Sequence, residues 1–175
     1  MSKRAGNVVE LDELIDDIGA DATRLLSLMS SLDQAAVLDL DLVRSQSMEN
    51  PVYYVQYAHA RIASILDRAG SRRVASALEQ IAPVEPLHAS ERALLRCLLS
   101  FPVELADAVE RRAPHRVASY ALALAQSFTA FYRDCHVLGV EPRETESWRL
   151  ALSLAARRTI ACALDLLGVS APAQM

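Results

Sequence analysis

The chain has 175 residues, of which 52% are hydrophobic and 23% are charged, and its formal net charge is −4. This length and composition are typical of a folded domain with one core, and the charge argues against a nucleic-acid binder with a diffuse basic surface. A local basic patch could still bind RNA, because association depends on the field at the contact. Only 5 residues are glycine, while alanine, leucine and arginine are abundant, so the composition favours helices.

Cysteine and histidine spacings predict neither a disulfide framework nor a metal site. Cys97, Cys135 and Cys162 are odd in number and show no CxxC spacing, so we expect small buried hydrophobes in a reducing compartment. The four histidines form no HxxxH or HExxH pattern. The N-terminus lacks an apolar signal segment and the apolar helices carry arginines, so we expect no membrane span and a cytoplasmic protein.

Helical periodicity recurs along the chain, often started by a cap or proline and stopped by glycine. The predicted helices are 11–18, 20–30, 51–70, 71–81, one that begins at Ser90, one that begins at Pro102, 114–135, and 148–167 with Thr145 as its N-cap. Residues 32–43 alternate partly at period two, which indicates a short extended piece near residues 35–40. The sequence therefore predicts an all-α bundle of long antiparallel helices.

The most distinctive stretch runs from Asn50 to Arg61 and reads NPVYYVQYAHAR. Tyr54, Gln56 and His59 cannot all share the apolar face of this helix. The helix therefore has a second side rich in groups that stack and form hydrogen bonds. Aromatic rings beside amide, imidazole and guanidinium groups suit unstacked RNA bases. The alternative, a buried helix whose tyrosine hydroxyls find partners inside the fold, stays open on these residues alone.

The same stretch, extended to Ile62, closely resembles the first long helix of the anticodon-binding domain of arginyl-tRNA synthetases. Three more segments resemble motifs of that family in the right order. They are MSKRAGN at 1–7, similar to the KMSKS loop; GADATRL at 19–25, similar to the segment that names the DALR domain; and ALDLLGVSAPAQM at 163–175, similar to the C-terminus. The resemblance implies a KMSKS-like loop with connecting helices over 1–45 and a DALR-type helical bundle over 46–175.

The N-terminal loop carries the chemical part of this resemblance. In the family the second lysine of the loop stabilises pyrophosphate while the adenylate forms, and the resemblance places Lys3, the only lysine of the chain, in that role. Met1, Ser2 and Arg4 would contact ATP beside it. A mobile cation that meets developing phosphate charge lowers a barrier electrostatically. The alternative is an N-terminus without a role, since serine, lysine and arginine are common there.

The family's catalytic half has no counterpart in this sequence. No βαβ pattern, glycine-rich turn or HIGH-type motif occurs, and the chain begins where the family's catalytic domain ends. We therefore expect no adenylate formation by the chain alone and no cofactor in it, with ATP and Mg belonging to the full-length enzyme. The missing catalytic domain is an expected partner, and we expect a monomer.

The resemblance also implies which side chains face the anticodon loop of an arginine tRNA. They are Tyr57, His59, Arg61, Tyr132 in the segment FYRDC, and Met175 at the chain end. For Tyr132 a core position beside Phe128 is the alternative. Trp148 is expected in the core and Arg149 is expected to be a solvated charge.

Two classes of function stay open. The first is the anticodon-recognition part of an arginine–tRNA ligase, which reads RNA by stacking and base-edge contacts. The second is a stand-alone helical protein-interaction module, derived from the same family, that does not bind tRNA. Cysteinyl- and methionyl-tRNA synthetases also carry helical anticodon domains, but NPVYYVQYAHAR and the terminal methionine resemble the arginine family more closely.

Overall fold

The computed structural model describes residues 10–31, 39–79, 81–83 and 86–175. Within these ranges the chain forms eight helices and no strand, which confirms the all-α prediction. The helices are α1 (Leu11–Ile18), α2 (Ala20–Met29), α3 (Leu40–Arg44), α4 (Pro51–Ala69), α5 (Ser71–Glu79), α6 (Ala89–Glu110), α7 (Pro114–Asp134) and α8 (Arg143–Leu166). The N-terminal loop and most of the predicted extended piece near 35–40 lie outside the described residues.

Helix α4 begins and ends where its sequence predicts. The Asn50 Oδ1 accepts hydrogen bonds from the backbone N–H groups of Val52 at 3.0 Å and Tyr53 at 3.4 Å, which caps the helix. The amide of the same side chain donates to the Val43 carbonyl at 2.8 Å and so fixes the connection from α3. Gly70 ends the helix at a φ of 79°, a conformation that favours glycine.

Helix α6 differs from the prediction at both of its expected start points. It begins at Ala89, because His88 caps it and forms a reciprocal capping box with Glu91. It also runs without a break through Pro102, where the sequence predicts a new helix. Proline lacks the N–H of the helical ladder, but Pro102 is exposed, so its ring points away from the core.

Helix α8 begins one turn earlier than predicted. Its first residue is Arg143, with Pro142 at the N-cap, so Thr145 lies inside the helix. Two acidic residues in the first turn, Glu144 and Glu146, complement the positive end of the helix dipole. The prediction relied on the periodicity of apolar residues, and this polar first turn carries none.

Two predictions about α8 have opposite outcomes. Trp148 is buried, with 7% of its surface exposed, which confirms a core position. Arg149 is not a solvated charge. Its Nε donates to Glu91 Oε1 at 2.9 Å, and its Nη1 donates to the His136 carbonyl at 2.9 Å. This ion pair ties α8 to the start of α6.

The core lies around α7, which packs against α2, α4, α6 and α8. The largest fully buried side chains of the core come from several helices and are Phe128, Phe131, Leu25, Ile62, Leu94, Leu124, Leu150, Ile160 and Leu164. Cys135 is buried and Cys97 half-buried, but Cys162 is exposed, so the expectation of burial is wrong for that residue. Across the described residues no helix is both long and apolar enough to cross a membrane.

Candidate nucleic-acid interface

The last nine residues, 167–175, form a tail that folds back over α2 and α4. The tail leaves α8 through a turn at Gly168, whose φ is 65°. Arg24 of α2 donates to the Gly168 carbonyl. The Asp21 carboxylate accepts from the backbone N–H of Ser170 at 3.2 Å and from its hydroxyl. Helix α2 therefore holds the first half of the tail.

Helix α4 holds the second half of the tail. The Gln56 amide donates to the Ser170 carbonyl at 3.1 Å and to Asp21 Oδ2 at 2.9 Å. The Nδ1 of His59 lies 2.7 Å from the Pro172 carbonyl oxygen. Because a carbonyl can only accept, the His59 proton lies on Nδ1. We call Asp21, Gln56 and His59 the tail clasp.

The surroundings of His59 disfavour its charged form. The side chain is 4% exposed, and this burial lowers its pKa below the usual value of 6.5, while the nearby charge of Arg157 acts in the same direction. The hydrogen bond to Pro172 partly opposes the shift. The family resemblance implies that His59 faces the RNA, but the structure has it beneath the tail, where it does not line the concavity described next.

A concavity of about 500 Å³ opens between α4, α7 and the end of the tail, and we call it the aromatic concavity. It brings together four of the five residues that the sequence assigns to RNA contact, from three separate parts of the chain. Those residues are Tyr57, Arg61, Tyr132 and Met175. Because an open cleft lined by aromatic and cationic side chains can hold a planar ligand, its chemistry suits a nucleobase.

Arg61 contacts both tyrosines that line the aromatic concavity. Its Nη1 donates to the Tyr57 hydroxyl at 2.7 Å, and its Cζ lies 4.6 Å from the ring centroid of Tyr132. The ring of Tyr132 also stacks on Phe128, with centroids 6.1 Å apart and planes 21° apart. Tyr132 is half-buried, so it joins the core to the concavity and belongs wholly to neither. Planar groups thus extend from the core outward to Arg61.

The charged side chains that line the aromatic concavity are cationic. They are Arg61 and Arg68, and among the described residues no aspartate or glutamate side chain lines it. The Arg68 side chain makes no hydrogen bond or ion pair with the described residues, and the hydrogen-bond and cation–π partners of Arg61 among them are Tyr57 and Tyr132. No carboxylate side chain of the described residues neutralises either cation, so both can meet a phosphate although the whole chain carries a net charge of −4.

Several residues bear on the site without having been predicted from the sequence. Asp21 and Ser170 are 149 positions apart, and in the sequence Gln56 is only one polar group of α4. No local spacing could have paired them, because their contact depends on how the tail folds back. The predicted ATP contacts, Lys3 among them, lie outside the described residues. Within the described ranges no three His, Cys, Asp or Glu side chains are grouped to hold a metal ion.

Comparison with known proteins places this fold and site in a recognised class. The family model of the DALR anticodon binding domain matches residues 55–175, a range that contains every residue lining the aromatic concavity. The chain therefore belongs to the DALR anticodon-binding domain family.

The curated relatives that it resembles are arginine–tRNA ligases. The chain is 45% identical to the ligase of Salinibacter ruber over 176 residues and 44% identical to that of Geobacillus kaustophilus over 179 residues. Each match covers 100% of this chain and 31% of the relative, so the chain spans about a third of their length. The arginyl-tRNA synthetase structure of Thermus thermophilus superposes with a TM-score of 0.75 at 31% identity, over 99% of this chain and 29% of that one. The resemblance seen in the sequence is confirmed.

Proposed function

We propose that this chain is the anticodon-recognition region of an arginine–tRNA ligase and that the aromatic concavity receives a base of the anticodon loop. The observation that carries this proposal is the convergence of Tyr57, Arg61 and Tyr132 on one open cleft inside the part of the chain that matches the DALR family. Unstacked loop bases are bound in this way by many RNA-binding proteins, since every base has a π-face.

Each part of the cleft has a distinct task in this proposal. Tyr132 offers a ring that the core supports through Phe128, and a base would stack there by replacing the Arg61 guanidinium that lies 4.6 Å from the ring centroid. Arg61 supplies N–H donors for a base edge or a phosphate beside that ring. The tail forms the remaining wall with Met175, whose side chain is 58% exposed. His59 acts as a positioning residue, because it holds that wall without facing the RNA.

The same proposal gives the chain a place in a larger cytoplasmic enzyme. That enzyme would attach arginine to its tRNA at the expense of ATP, with Lys3 acting in the KMSKS-like loop against the developing pyrophosphate charge. The ATP, Mg and arginine sites would belong to a catalytic domain that these residues do not form. The isolated chain would then bind RNA and form no adenylate.

A protein-interaction module is the second candidate function, and one observation favours it. Three apolar side chains of α6, Leu99, Val103 and Val109, are 65–71% exposed. Leu99 and Val103 are four positions apart and share one face of the helix, and a contiguous exposed apolar patch is typical of a protein contact. None of them lies near the aromatic concavity, so the two candidates predict different responses to RNA.

An RNA titration separates the two candidates. A fluorescent anticodon stem-loop of an arginine tRNA is titrated with the chain, and a stem-loop of another tRNA serves as the control. We expect saturable binding to the arginine stem-loop and at least tenfold weaker binding to the control, about 1.4 kcal/mol of discrimination. Equal affinity for both, or no binding to either, would contradict the proposed function.

A further inference from the structure

A second concavity adjoins the aromatic concavity on the other side of the tail. It has a volume of about 800 Å³ and lies between α4, α5 and α8. The two concavities share three residues, Ser64, Ala173 and Gln174, so a bound chain could pass from one to the other over residues 173–174. We call the second concavity the flanking groove.

The flanking groove carries two cations without partners. Arg157 and Arg158 of α8 line it, and neither side chain forms a hydrogen bond or an ion pair with the described residues. Asp67 is the single carboxylate that lines the groove among the described residues. Elsewhere the structure pairs arginines with carboxylates, as at Arg44, Arg73, Arg116, Arg133 and Arg149. Arg68, Arg157 and Arg158 have no such carboxylate partner among the described residues and line the two adjoining concavities.

One wall of the flanking groove is apolar. Helix α5 contributes Val74, Ala75 and Leu78, and Leu78 is 39% exposed. A base can rest against aliphatic side chains while its phosphate faces water and cations. The groove therefore offers one apolar surface and one cationic surface, as the site of a single nucleotide requires.

We propose that the flanking groove binds the nucleotide that follows or precedes the base in the aromatic concavity, with its phosphate at Arg157 and Arg158 and its base against Leu78. This inference rests on the proposed function and adds a second subsite to it. Single-stranded RNA is the occupant that fits, because the groove is continuous with the aromatic concavity and carries the charge opposite to a phosphate. The two subsites together would hold an unstacked stretch of loop across the tail.

The test combines a charge-removing variant with RNAs of two lengths. The variant is Arg157→Gln/Arg158→Gln, and its matched control is Arg96→Gln/Arg111→Gln, two exposed arginines, one in α6 and one directly after it, that line neither concavity. Binding of an anticodon trinucleotide and of the whole anticodon stem-loop is measured over a salt series. A third variant, Arg157→Lys/Arg158→Lys, keeps the charge and should recover most of the binding. Thermal unfolding by circular dichroism checks that all variants fold.

We expect the charge-removing variant to bind the stem-loop about three- to tenfold more weakly than the parent, the loss expected for two exposed ion pairs. Its salt slope should flatten by about 0.7 for each lost contact with a single strand. Trinucleotide binding should weaken by a similar factor and more than in the control, because a trinucleotide contains both the base of the aromatic concavity and its neighbour. A parent that binds the stem-loop while the variant and the control behave alike would overturn the flanking groove and leave the proposed function standing. A parent that binds neither RNA would overturn both.

Discussion

Tyr132 lies where the core meets the proposed RNA site, so its two roles can be separated by mutation. Base–aromatic stacking is worth about 1–3 kcal/mol per base, so Tyr132→Ala should weaken stem-loop binding about five- to a hundredfold. Helical circular dichroism should be retained, because Phe128 and Phe131 remain in place.

The matched control at this position is Tyr132→Phe, which keeps the ring and removes only the hydroxyl. It should bind the stem-loop within about twofold of the parent, because stacking depends on the ring. Tyr132→Ala could instead lower the melting temperature sharply, with RNA binding lost only in proportion to the unfolded fraction. That result would assign the residue to the core. If the variant folds normally and binds as well as the parent, the stacking role is excluded.

His59 makes the stability of the fold depend on pH. Its pKa in the folded state is depressed below 6.5, so between these two values the unfolded chain binds more protons than the folded chain. The contribution of His59 to stability is therefore present above about pH 6.5 and is lost as the pH falls through the folded-state pKa. Burial of the ring is the main cause.

We expect the free energy of unfolding to fall between about pH 7 and pH 5, with His59 contributing at most about 1.4 kcal/mol per pH unit. Chemical denaturation at several pH values measures this slope. His59→Gln should flatten it, whereas His136→Gln, which changes an exposed ring, should not. An unchanged slope in His59→Gln would show that the ring does not titrate with folding.

At the scale of the element, the helices that the sequence predicts well are those with explicit signals at both ends. Helix α4 has Asn50, Pro51 and Gly70, and its observed bounds agree with them. The sequence predicts a break of α6 at Pro102 because proline usually starts or ends a helix, and only the fold reveals that this ring faces solvent. A proline on an exposed face and one on a buried face look identical in sequence.

The sequence does not reveal the ion pair between α6 and α8 for a related reason. Arg149 follows the buried Trp148, so it lies on a different side of the helix and looks like a solvent-facing charge. Its partner, Glu91, is 58 positions away and only 3% exposed. Long-range pairs of this kind depend on helix packing, which periodicity does not describe.

Arg149→Met should destabilise the fold by about 3–5 kcal/mol, because it leaves the buried Glu91 carboxylate without its cation. Adding Glu91→Gln to that variant should restore part of the loss, since the buried negative charge is then absent as well. Chemical denaturation of both variants measures the difference. A loss below about 1 kcal/mol in Arg149→Met would mean that water reaches Glu91 and that the pair behaves like a surface pair.

At the scale of the whole molecule, the site is assembled from parts that no sequence window contains. Tyr57 and Arg61 are four positions apart on α4 and could be recognised together from the sequence. Tyr132 and Met175 join them only because α7 and the tail pack on the same end of α4. The family resemblance supplied these two residues, whereas composition and periodicity could not. The assignment of all four to RNA contact stays a prediction.

Substitution of Gln56 tests whether the tail has to be held in place for the aromatic concavity to bind RNA. Gln56→Ala removes the hydrogen bonds that join α4 to Ser170 and Asp21, so the tail should move more freely. We expect stem-loop binding to weaken about three- to tenfold, the effect of losing about 1 kcal/mol of positioning. The melting temperature should change little, because the core does not include this side chain.

The matched control is Gln126→Ala, which removes an exposed glutamine from α7 and should leave binding unchanged. If Gln56→Ala binds the stem-loop with the affinity of the parent, RNA binding does not depend on the position of the tail.

The contacts of α2 with the tail have a consequence for how the protein can be divided. A fragment cut at the predicted boundary, residue 46, would keep Gln56 and His59 but lose Asp21 and Arg24, which bind Ser170 and Gly168. The family match begins later still, at residue 55. Either cut separates the donors and acceptors of one hydrogen-bonded network, so a fragment designed on the helical bundle alone would expose a C-terminal end that is held on one side only. A transplantable unit of this protein has to start before α2.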